Sequence, residues 1–158
     1  MKKALLTLVS VTVCLWMQAQ DFASRFIAHY PADSALACVT ISPKMMEEIL
    51  RSEKEKDAGM IEIISTLKSM QLLSSESNGA AYYTHALEVL EQNEELFEPL
   101  ALITEPTEDS RILIRKKEDT IIELVMLTHT NERFSVINFT GNMDPDFIVR
   151  IAGAMQAP

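Results

Sequence analysis

Cysteine, tryptophan, glycine and histidine are all scarce in this chain, and each scarcity removes a class of function. Two cysteines, Cys14 and Cys38, cannot build a disulfide framework. The four glycines, Gly59, Gly79, Gly141 and Gly153, lie far apart, so no Gly-rich loop is present to cradle a phosphate. The single tryptophan, Trp16, sits in an N-terminal apolar run. A sugar-stacking platform would therefore fall to Tyr82 and Tyr83. The three histidines, His29, His85 and His129, are widely separated, with no His-x-x-x-His spacing and no cysteine pair to join them. There is no Gly-x-Ser-x-Gly elbow. Bases number 14 against 23 acids, a formal charge of −9 that repels phosphate backbones and excludes nucleic acid as the expected partner.

What is present begins at the N-terminus. Lys2 and Lys3 precede an apolar run from Ala4 to Met17, and Gln18-Ala19-Gln20 supplies small and polar residues before Asp21. That order is the pattern of a secretory signal peptide. The run is shorter than the ~20 residues a helix needs to span a bilayer. The pattern predicts a signal peptide over 1–19, cleavage after Ala19, and a single domain over 20–158. Val13 is too large for the usual lipoprotein signal at Cys14, so membrane attachment would follow only if Cys14 were lipidated. Cleavage would remove Lys2 and Lys3 and leave 12 bases and 23 acids, so the mature charge would be 12 − 23 = −11. Cys38 would then be the only thiol, and stability would rest on packing.

Periodicity supplies the fold class. Phe22, Phe26 and Tyr30 recur at steps of four, one face of a short helix that Pro31 stops. Ala35 to Ile41 is a compact apolar run and is expected to be a buried strand. Ser42 and Pro43 are an N-cap and a first-turn proline for a helix carrying Met45, Met46, Ile49 and Leu50, with Glu47 and Arg51 paired across one turn. Met60, Ile63, Ile64 and Leu67 repeat at helical spacing. Met70 to Ser74 suggests a short strand, and Tyr83, Leu87 and Leu90 a further helix leading into the acidic stretch Glu91 to Glu98. After Pro99 come four β-like runs, Leu100–Thr104, Ser110–Lys116, Thr120–Thr128 and Arg133–Thr140, joined by short polar turns. These predict a meander of antiparallel hairpins. Asp144-Pro145-Asp146 opens a last helix that buries Phe147, Ile148 and Ile151. The sum is an α+β domain, mainly antiparallel sheet with several helices.

Three landmarks recur together: Ile41-Ser42-Pro43-Lys44-Met45 after a strand, Ile122-Glu123-Leu124-Val125 within the meander, and Gly141-x-Met143-Asp144 before the last helix. With the leader and the Phe22/Phe26 helix, the chain resembles the domain of unknown function 4252 family, small exported proteins of Gram-negative bacteria. The resemblance spans roughly Asp21 to Ala154. It implies an exported single domain and transfers no catalytic residue, because that family has no assigned activity.

Individual residues point the same way. Cys38 lies in an apolar run, where a cysteine is expected to be a small buried hydrophobe. Glu123 is the one charge in its strand, and Arg111, Arg115 or Lys116 on the preceding strand could pair with it; a buried acid with a raised pKa is the alternative. His85 and Glu88 share a helical face, but no third metal ligand stands near them in sequence. The run Ile121 to Leu127 is apolar at both parities. Either helices cover both faces of the sheet or part of one face is a dimer or partner surface. No catalytic, cofactor-binding or metal residue is assigned, and no cofactor is expected. The expectation is a non-enzymatic, exported protein, periplasmic or envelope-associated, that binds an envelope protein partner, with homodimerisation also open. The alternative is a carrier of a small apolar ligand or lipid.

Overall fold

The computed structural model describes residues 20–31, 34–52, 65–93, 96–104 and 106–156. Among these residues four helices, α1 (Phe22–Ile27), α2 (Pro43–Ser52), α3 (Gly79–Glu91) and α4 (Pro145–Gln156), accompany six strands. The strands are β1 (Ala37–Ile41), β2 (Leu67–Ser75), β3 (Glu98–Thr104), β4 (Asp109–Lys117), β5 (Thr120–His129) and β6 (Phe134–Met143). They form one antiparallel sheet in the order β1-β2-β6-β5-β4-β3. The four C-terminal strands make the expected meander, and β6 returns to lie against β2. The expected helix through Met60, Ile63 and Ile64 lies outside the described residues, while Leu67 opens β2 instead of closing that helix.

The two-sided apolar pattern of β5 and β6 is explained by helices on both faces. Val125, Leu127, Phe134 and Val136 pack with Phe22 and Phe26 of α1 and Tyr82, Ala86 and Val89 of α3. On the opposite face Leu124, Met126 and Phe139 pack with Met46 of α2 and Phe147 of α4. A fully buried side chain of this size contributes about 1.5–3 kcal/mol relative to exposure, so the central strands hold the domain together from both sides. The caps match the sequence. Ser42 Oγ accepts the Met45 amide at 3.3 Å, and Asp144 Oδ1 accepts the Phe147 amide at 2.8 Å. Glu47 and Arg51 approach to 3.6 Å on the surface of α2.

The strand expected to be buried is instead an edge. β1 pairs only with β2, and Ala37, Cys38, Val39 and Thr40 are all exposed. An apolar composition does not reveal whether a strand has a second neighbour, and among the described residues β1 has none. Cys38 is therefore not an interior hydrophobe but an exposed free thiol. A thiol reagent is expected to modify it in the folded protein about as fast as in urea-unfolded chain; strong protection in the native state would contradict the edge placement.

Candidate functional site

The densest polar cluster is buried where α1 meets the sheet. The first amides of a helix have no partner within it, and here each finds one. Asp21, the N-cap, accepts the Ser24 amide through Oδ1 at 2.8 Å, and its carbonyl accepts the Arg25 amide at 3.1 Å. The Phe22 amide donates to Glu123 Oε1 at 2.6 Å, and the Ala23 amide donates to Asn138 Oδ1 at 2.8 Å. Glu123 and Asn138 stand on the adjacent strands β5 and β6, and both are 0 % exposed.

Arg115, directly across the ladder on β4, donates its Nε to Glu123 Oε2 at 2.7 Å. The expected cross-strand pair thus exists, and the residue is a buried acid as well. Burial raises the Glu123 pKa above the ordinary carboxylate value, and the Phe22 amide and the Arg115 guanidinium oppose that rise without cancelling it. The guanidinium groups of Arg25 and Arg115 both lie against the Phe97 ring, 5.7 and 5.9 Å from its centre. Every Glu123 contact is internal, and the group pins α1 to the sheet. Asn138 carries no expectation from sequence. Its signal was a lone amide inside the apolar run Val136 to Phe139.

The histidines are not as scattered as their spacing suggests. His29 and His85 meet edge to face with ring centres 5.1 Å apart, although 56 positions separate them. The Tyr30 hydroxyl lies 2.6 Å from His85 Nδ1, and His29 Nδ1 lies 2.8 Å from the Arg25 carbonyl, to which it donates. His85 also packs beside Phe26. Among the described residues, no group of three or more His, Cys, Asp or Glu side chains is placed to hold a metal ion.

His129 stacks on Tyr83 at 3.9 Å between ring centres, with Nε2 3.6 Å from Asp109 and Nδ1 donating to the Thr130 carbonyl at 3.1 Å. It borders an open cleft of about 530 Å³ between the β3–β4 and β5–β6 turns, where Glu108, Asp109, Glu132 and Arg133 make the wall polar. Such a wall suits neither an apolar ligand nor a lipid chain.

The remaining feature is the sheet's two open edges. Residues 37–41 of β1 and 99–104 of β3 contain no charged side chain. Natural sheets commonly blunt an edge with charge, proline or a bulge. β3 has all three at its start, with Glu98, Pro99 and a register shift between Pro99 and Ala101. Leu100, within that shift, and Leu102 and Ile103, beyond it, are 47, 63 and 43 % exposed. Among the described residues, no helix is long and apolar enough to cross a membrane.

Residues 30–151 fit the family described as Domain of unknown function (DUF4252). No curated protein and no solved structure matches the chain.

Proposed function

The chain belongs to the DUF4252 family, and with no activity to inherit from it, we propose that this is an exported, non-enzymatic interaction module that takes extended protein segments onto the open edges of its sheet. One observation carries this reading. Among the described residues each edge strand is paired on one side only, residues 37–41 and 99–104 carry no charge, and β3 leaves three large apolar side chains exposed. An added strand would gain main-chain hydrogen bonds from such an edge and specificity from alternating side-chain contacts. Export is supported by the Lys2-Lys3 start and the apolar run to Met17, and on this reading the partner is a protein of the periplasm or envelope.

The carrier reading has less support. The space between α1, α3 and the sheet is filled by rings in contact: Phe22 on Phe26 at 5.7 Å, Phe26 on Phe134 at 5.6 Å, and Tyr82 on Phe134 at 5.8 Å.

Photo-crosslinking in cells tests the proposal. A photoreactive residue at Val39 on β1 or Leu102 on β3 is expected to give protein adducts that the same probe at Glu118, in the exposed β4–β5 turn, does not. Equal yields at all three positions would reject the edges as contact sites.

A further inference from the structure

We infer that the exported chain begins with a pyroglutamate, formed when the α-amine of Gln20 closes on its own side chain after cleavage at Ala19. This rests on the export reading, which supplies the cut, and adds a modification site to it.

The step needs no co-reactant. Cleavage turns the Gln20 backbone nitrogen into an amine, whose ordinary pKa of about 8 leaves part of it unprotonated and nucleophilic near neutral pH. That nitrogen attacks the side-chain amide carbon, Cδ. A new C–N bond closes a five-membered lactam and the Cδ–Nε2 bond breaks. One amine hydrogen passes to the leaving nitrogen, which departs as ammonia, so nothing is oxidised or reduced. Amine and amide belong to one residue, which makes the closure unimolecular.

The structure leaves Gln20 free to make this ring. Gln20 is exposed, and neither its backbone nor its side chain is hydrogen-bonded to another described residue. Constraint begins one position later. Asp21 caps α1, the Phe22 amide is held by Glu123, and the Ala23 amide is held by Asn138. Closure uses only atoms of Gln20, so all three bonds survive it.

The same geometry says what the lactam protects. An aminopeptidase that removed Gln20 and Asp21 would take away the cap of α1. It would also leave Phe22, 0 % exposed, carrying a charged ammonium group at a buried junction. The lactam offers such an enzyme no α-amine, so it seals the chain ahead of the helix that is pinned to the sheet.

The full-length chain, leader included, is expressed in a Gram-negative host, and the purified protein's intact mass and N-terminal peptide are measured. The wild type is expected to start at residue 20, to weigh one ammonia less than residues 20–158, and to resist acylation at its terminus. Gln20→Ala is expected to start at the same position with a reactive amine. An aminopeptidase should trim that variant, with a fall in melting temperature, and spare the wild type. A chain starting at an open Gln20 after prolonged incubation would overturn the inference and leave export standing. So would a first residue other than Gln20, a diacylated Cys14 included. An uncleaved chain retained in the cytosol would overturn both. An alanine variant that resisted the peptidase as well as the wild type would remove the protective role.

Discussion

Arg115→Met is expected to cost the fold about 3–5 kcal/mol at neutral pH, the range for removing one partner of a buried ion pair. The substitution keeps an apolar stem at that position and removes the guanidinium, which leaves the Glu123 carboxylate fully buried with the Phe22 amide as its main remaining donor. The loss should depend on pH in a defined direction. Burial already raises the folded pKa of Glu123 above its unfolded value. The folded state therefore binds that proton more tightly, so the group's contribution is full below the unfolded value and is lost as pH rises through the folded value. Without Arg115 the folded value climbs further and the affected window widens upward. The gap between variant and wild type should thus be small in acid and open as pH rises.

Urea midpoints measured from acidic to mildly alkaline pH would show this, and adding Glu123→Gln to Arg115→Met should recover much of the loss by removing the unpaired charge. A pH-independent cost with no recovery in the double variant would mean that Arg115 acts through packing on Phe97 alone.

The Glu123–Arg115 pair was legible because it is local: two neighbouring strands joined by a short turn, with bases at the positions that face the acid. The meander and the capped helices were legible for the same reason. What the sequence left hidden depends on where distant segments land. Asn138 matters because the Ala23 amide arrives on it from 115 positions away. His29 and His85 meet only because α1 docks beside α3. Cys38 was misplaced because Ala35 to Ile41 has the composition of a core strand, while its exposure follows from strand order, which puts β1 outermost. Strand order also decides which apolar residues become surface. Leu102 and Val125 both look like core in sequence, and only Val125 has a neighbouring strand on each side.

Gly141→Ala is expected to cost about 2–4 kcal/mol, by combining a strained backbone with a backbone collision. Gly141 holds φ at +156°, a conformation that residues with a Cβ rarely adopt. A Cβ there would lie 2.6 Å from the Thr66 carbonyl oxygen and 2.7 Å from the Leu67 Cα, and neither atom can rotate away as a side chain would. The contact sits at a junction. The Asn142 amide donates to that same Thr66 carbonyl at 3.0 Å, and the β2–β6 register shifts beside it, between Leu67 and Ser69. Relief would require β2 and β6 to part where Leu67 enters the core, just before β6 hands the chain to α4 and Phe147 packs on Phe139. The neighbouring Asn142→Ala is the control, since Asn142 is exposed and its amide is retained; it should cost less than about 1 kcal/mol. If chemical denaturation showed the two variants equally stable, the end of β6 could not be as close to β2 as these contacts place it, and the glycine would be there for some reason other than close approach.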